Sequence, residues 1–424
     1  MRGKKVSVGW IALWVLVAAT QCVTSTTAAG QQATGKILHN FDTNKLDGLS
    51  PSGGLLFDSA GNLYGTTFGV RGGFGAVYEL TPTASGFWNE TTLHIFSFAD
   101  GVSPNGTLIF DAVGNLYGVA AGGGLGTGTR CTNRAGGCGT VFELSPSASG
   151  WTETVLHDFT HNIDGANPRG GLVMDAAGNL YGTTTAGGGN SGVDFGTVFE
   201  LSPMADGEWM ETILHIFKNN GHQDGLEPNG SLVFDAAGNL YGTTVVGGSI
   251  GFGTVFELSP QIDGSWQETI LSNFAGQGDG LEPFSGVIFD ASGNLYGTTS
   301  SGGTGSGGTV FELSPSLDGS WTKTVLYNFS NENEGSVGMG SLTLDGSGNL
   351  YGATEGDSCG HGCGAIFELS NSGGLWTKTT LFRFDGKDGD NPYASLIFDA
   401  AGNLYGTTAQ GGSKEEGTVF ELVP

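Results

Sequence analysis

Two histidines in this chain stand just ahead of an aspartate: His161 before Asp164, and His222 before Asp224. Histidine exchanges a proton near neutral pH and, with carboxylates, ligates metals. Two such pairs in successive segments therefore read as a candidate metal or acid–base cluster. The two aspartates also head a recurring Asp-Gly-x-x-Pro string, found at Asp47, Asp100, Asp164, Asp224, Asp279 and Asp388. Six carboxylates at one mouth would offer oxygen ligands to a hard cation such as calcium. The plainer reading is that Asp-Gly and Pro shape the same turn six times. One further copy departs, reading Glu334-Gly335-Ser336 with no Pro.

The cysteines fall in two tight pairs, Cys131 with Cys138 and Cys359 with Cys363. Two local disulfides are the expectation for an exported chain. His361 lies inside the second pair, which leaves a metal site as the alternative there, although zinc wants four ligands. No Gly-x-Ser-x-Gly elbow sits on a strand-to-helix turn, and the Gly-rich loops do not precede a helix, so phosphate-cradle readings fail.

The elements that must position these groups come from a repeat. Gly-Asn-Leu-Tyr-Gly begins at Gly61, Gly114, Gly178, Gly238, Gly293, Gly348 and Gly402, each time with an Asp three residues upstream. A Gly-Thr-Val-Phe-Glu-Leu string or close variant follows, with its acid at Glu79, Glu143, Glu200, Glu257, Glu312, Glu368 and Glu421. A segment opening with Trp comes next, at Trp88, Trp151, Trp209, Trp266, Trp321 and Trp376. Each unit holds four short strand-like runs separated by Asp/Gly turns, and no stretch after the N-terminal segment shows a helical apolar period. Four strands per unit and seven units give an all-β, seven-bladed β-propeller over residues 31–424. The last copy stops after its third strand at Leu422. The segment Lys36–Phe41 aligns with the fourth-strand segment Thr154–Phe159, so the start of the chain is expected to complete the last blade. The repeated Tyr and Trp are expected between blades. Tyr393 and Phe284 are the aromatics expected on the channel side, and His39, His94, His157 and His215 share one repeat position.

The strings Asp-x-x-Gly-Asn-Leu-Tyr-Gly and Gly-Thr-Val-Phe-Glu-Leu resemble the bacterial tandem-repeat family known as GloVer repeats. The resemblance covers nearly all of residues 36–424. It implies a secreted repeat protein and is silent on activity. Anchored members carry a separate surface anchor, and the last residues here show no apolar tail or sorting motif. The turn is also similar to that of NHL and gluconolactonase-type propellers.

Composition fits that picture. Gly accounts for 79 of 424 residues, with 15 Lys+Arg against 41 Asp+Glu and a net charge of −26. That charge argues against nucleic acid as a partner. Residues 1–30 read as a signal peptide: Arg2, Lys4 and Lys5, then an apolar run from Val8 to Ala19 too short to span a membrane. The expected protein is secreted or held in the cell envelope, monomeric and without a membrane span. The expected function is non-catalytic binding of an extracellular glycan or protein surface, because copies this alike leave no one-off polar constellation. The alternatives are a lyase or hydrolase acting on a polysaccharide or lactone, using His161 and His222, and a passive envelope component.

Overall fold

Every repeat forms one four-stranded antiparallel sheet, and seven such sheets make up the protein in a computed structural model. The structure describes residues 33–423 except 43–46, 127–130, 132–136, 190–193, 220–223, 277, 331–333, 335, 339 and 357–362. The expected signal peptide at 1–30 lies outside the described residues. No helix among them is long and apolar enough to cross a membrane.

The fourth blade shows why the repeat folds this way. Its strands are Gly225–Pro228 continued by Val233–Phe234, then Leu240–Gly247, Thr254–Pro260 and Trp266–Asn273. The first hairpin is built on Asp235. One carboxylate oxygen accepts from the amides of Ala237 (2.8 Å) and Asn239 (2.9 Å); the other accepts from Asn239 Nδ2 (2.8 Å) and Tyr241 Oη (3.1 Å). Gly238 closes the turn at φ 87°, a conformation cheap only for glycine. The Asp, Asn and Tyr of the repeat string are thus one hydrogen-bonded unit. The same bonds recur at Asp58, Asp111, Asp175, Asp290, Asp345 and Asp399.

Packing between blades uses the same Tyr. Its ring meets Phe289 and Trp321 of the next blade edge-on, at 5.0 and 6.2 Å between centroids. Gly242 follows it because a Cβ there would lie 2.6 Å from the Phe256 ring on the facing strand. Phe256 and Phe274 are fully buried in neighbouring cores, and each core is shared by two blades. Large rings at fixed blade positions supply most of the apolar area these cores remove from water.

Strand Thr34–Asn40 pairs antiparallel with Thr418–Val423 and completes the seventh sheet. Its Leu38, with the following Phe41, enters a core that also holds Leu55, Leu63 and Tyr78 of the first blade. The two ends of the chain therefore share one blade. The innermost strand is less regular than its sequence suggests. In four blades it splits into two short pieces and in two it shortens to a pair of residues; only Val102–Phe110 runs continuously.

Candidate functional site

The residue before each repeat Pro carries a positive φ although it is not glycine: Ser50, Ser103, Asn167, Glu227, Glu282 and Asn391, all between 52° and 60°. Such a conformation costs of order 1 kcal/mol per residue and persists only when the surroundings impose it. Here it turns the chain so that the residue after Pro faces the central channel. Those residues are Ser52, Asn105, Arg169, Asn229, Phe284 and Tyr393, and together with Phe68 they line a cavity of about 340 Å³ at one end of the channel. The seventh copy, Met339, lies outside the described residues.

Below them the wall is glycine and serine. A Cβ on Gly230 would lie 2.2 Å from the Gly286 amide, so only small residues let seven inner strands meet around the axis. Thr243 Oγ1 donates to Ser285 O (2.7 Å) and Gly171 N to Ser231 Oγ (2.8 Å), which ties each inner segment to its neighbour. Asn229 Nδ2 donates to Phe284 O (3.1 Å). Arg169 is exposed, with Nε near the Asn167 amide oxygen. In the sixth blade Glu355 holds the repeat position that Phe68 holds in the first. Burial pushes its carboxyl up to about 7. The Tyr393 phenol is raised as well, by burial first and then by the Glu355 and Asp390 charges.

The aspartates of Asp-Gly-x-x-Pro do not ring this mouth. Their place is the outer rim, because the loop that carries them starts from the outermost strand, whose residue types claim them first. Asp47 faces His39 (3.2 Å), Asp100 faces His94 (3.0 Å), Asp164 faces His157 (3.6 Å) and Asp224 faces His215 (3.4 Å). Asp279 instead pairs with Lys323. Asp388 accepts from the Asp385 amide (2.8 Å), and its carboxyl is raised by burial. Glu334 takes the aspartate's role in the irregular copy, accepting from Lys378 Nζ and from Tyr327 Oη (2.9 Å).

His161 stands apart from these clusters, in a strained loop position (φ 67°) with its amide bonded to Gly165 O (2.8 Å). His222 lies outside the described residues. Asp164 and Asp224 belong to different blade junctions and are taken by His157 and His215, so the expected two-His, two-Asp cluster is not assembled on them. The ligand-type clusters are built on the repeat histidines instead: His94, Asp100 and Glu153; His157, Asp164 and Glu211; His215, Asp224 and Glu268. Burial pushes Glu153 and Glu211 up to about 7. Burial alone would lower His157, but Asp164 and Glu211 hold it above its ordinary value. Asp164 is lowered: the neighbouring His157 and the bonds from Thr160 outweigh its burial.

Cys131 and Cys138 form a disulfide. Cys363 is disulfide-bonded too, while Cys359 and His361 lie outside the described residues.

Tyr393 and Phe284 stand on the channel side as expected, whereas Ser52, Asn105, Arg169 and Asn229 follow the recurring Asp and Pro without recurring themselves, so no motif marks them. The usable signal was the opposite one. The residue after Pro is a position whose chemistry changes among the copies, from Ser to Asn, Arg, Phe and Tyr.

This geometry defines a seven-bladed propeller with a chemically mixed recess over its channel. The chain belongs to the Gloeobacter/Verrucomicrobia repeat family, whose profile matches residues 22–218, 127–266 and 235–424. No curated protein matches it. Among solved structures it is similar to a protein from Lactobacillus plantarum (14% identity, 82% of this chain and 95% of that one, TM-score 0.51). It is also similar to a gluconolactonase from Xanthomonas campestris (14% identity, 92% and 89% covered, TM-score 0.42). A third is PorZ, a surface component of the type-IX secretion system of Porphyromonas gingivalis (14% identity, 88% and 46% covered, TM-score 0.49). At these identities the likeness speaks to the fold.

Proposed function

We propose that this protein is a secreted, non-catalytic propeller that binds an extracellular glycan bearing carboxylate groups in the recess over its channel. One observation carries the reading. A repeat position whose chemistry varies from blade to blade places its six described side chains in a single cavity. There an exposed guanidinium, two side-chain amides and three aromatic rings converge: Arg169, Asn105, Asn229, Phe68, Phe284 and Tyr393. Planar rings stack on sugar faces, amides bond hydroxyls, and Arg recognises a carboxylate through two parallel bonds. A rigid ring presenting that set needs little reorganisation on binding.

The test is a glycan array on the purified protein, followed by calorimetry with the best acidic oligosaccharide. Arg169→Ala should weaken binding about 10- to 100-fold, the range for a lost charge-assisted bond. Unchanged affinity in both Arg169→Ala and Tyr393→Ala would remove the recess from consideration.

An enzyme acting on a polysaccharide or lactone has one observation in its favour, the carboxyl of Glu355 raised to about 7 beside Tyr393. Turnover of an array glycan that disappears in Glu355→Gln would select that reading over the first.

A further inference from the structure

Four of the seven outermost strands end in a histidine, and at each the next blade carries a glutamate at the facing repeat position (Glu90, Glu153, Glu211 and Glu268); three of the four close into a trio of ligand-type atoms among the described residues. Where the histidine is absent, the partner changes with it. Ser272 is followed across its junction by Lys323, which pairs with Asp279; Tyr327 is followed by Lys378, which pairs with Glu334. In those two junctions one ammonium meets one carboxylate and the charge balances. A protonated histidine with two ionised carboxylates still leaves one negative charge over. These junctions are short of positive charge.

In the His157 trio the facing His157 and Glu211 atoms lack partners, and in the His215 trio His215 Nε2 reaches Asp224 Oδ1 only in a long bond of 3.4 Å. His157 Nε2, Glu211 Oε1 and Glu268 Oε1 are shut off from water and have no hydrogen-bond partner. His157 Nε2 stands 3.6 Å from Asp164 Oδ2 and 3.5 Å from Glu211 Oε1. His215 Nε2 stands 3.4 Å from Asp224 Oδ1 and 3.6 Å from Glu268 Oε2. These separations are long for N–H···O bonds. They match the edge of a tetrahedron of ligands about 2.1 Å from a central zinc ion, roughly 3.4 Å. In each trio the three donor atoms lie within 4.8 Å of one another, and they come from two blades.

We propose that His157, Asp164 and Glu211, and likewise His215, Asp224 and Glu268, are two sites for a zinc-type divalent cation, each clipping one blade to the next. Imidazole nitrogen with carboxylate oxygen suits zinc, and a nitrogen ligand sets these sites apart from the calcium expected of the aspartates alone. Three protein ligands leave a fourth position for water. His94 and Asp100 differ because they bond directly at the ordinary 3.0 Å, against 3.4 Å for His215 and Asp224, and His39 with Asp47 belongs to no such trio among the described residues, so those two junctions are outside the proposal.

The experiment uses the untagged full chain, stripped with chelator and titrated with zinc, with calcium in parallel. Two equivalents of zinc should bind per chain, the melting temperature should rise with zinc concentration, and cobalt should give a tetrahedral visible spectrum. The double variant His215→Ser/Glu268→Lys copies the natural Ser272, Asp279 and Lys323 junction, so the fold has a precedent for it. It should bind one equivalent, and so should His157→Ser/Glu211→Lys. Failure to retain zinc, an unchanged stoichiometry in both double variants, or an equal rise in melting temperature with calcium would each overturn the proposal.

Discussion

The ring of Phe382 fills the space that a side chain at Gly35 would need: a Cβ built on Gly35 lies 2.4 Å from Phe382 Cε2. Phe382 occupies the histidine position of the sixth blade, and Gly35 the glutamate position of the seventh. This junction thus replaces the polar contact of its neighbours with an apolar one, and does so where the first strand of the chain joins the ring. Gly35→Glu should destabilise the protein by about 1 kcal/mol, the low end for overpacking because the half-buried ring can swing aside. Adding Phe382→His next to Asp388 should recover much of that loss. A denaturant double-mutant cycle reads the coupling, and strict additivity would contradict it.

The pairing of Thr34–Asn40 with Thr418–Val423 makes a second prediction. Ser413 N also donates to Asn40 Oδ1 (2.7 Å), a bond across 373 residues of sequence. Phe41 is wholly buried, and Phe41→Ala should cost about 3–5 kcal/mol. Removal of residues 33–41 should abolish cooperative unfolding, followed by circular dichroism. A truncated chain that melts like the parent would show that the seventh blade stands on three strands.

The turn aspartates set an acid limit. Burial raises Asp235 somewhat, but bonds from Asn239 and Ala237 outweigh it and hold the carboxyl below its ordinary value of 3.8. Asp58, Asp111, Asp175, Asp290, Asp345 and Asp399 are lowered in the same way. A carboxyl lowered on folding stabilises the fold fully above 3.8, and that stability is lost as pH falls through the folded value. The stability these aspartates supply should therefore stay level down to about pH 4 and then fall steeply, since seven groups act together. Asp235→Asn should cost about 1 kcal/mol at pH 7 and less at pH 3, measured by urea unfolding.

Glu355 shifts the other way. Its carboxyl, raised by burial to about 7, binds its proton more tightly in the folded state. The stability this brings is complete below the ordinary value of 4.5 and is lost as pH rises through about 7. Glu355→Gln should accordingly raise the melting temperature more at pH 8 than at pH 5. An equal gain at both would mean that the group is solvated.

The repeat made the blade legible before any coordinates. Asp235, Gly238, Asn239 and Tyr241 lie within a few residues of one another, so their turn is a local event written in contiguous sequence. Strand count, blade count and the inter-blade use of Tyr and Trp follow from spacing alone, since alternation and turn chemistry act over short distances. Tyr393 and Phe284 were placed on the channel side by the same reasoning.

What spacing could not give is the company each residue keeps across a junction. Asp164 looked like a channel-mouth carboxylate until the outermost strand brought His157 to it, and Glu211, from the next repeat, arrives only when two sheets stack. The direction in which Arg169 points was equally hidden, because it depends on a strained backbone at Asn167 and on six other blades closing around one axis. Local hydrogen bonding and periodic apolar spacing determined the blade. The meeting of side chains about one repeat apart, fixed by ring closure, decided the sites.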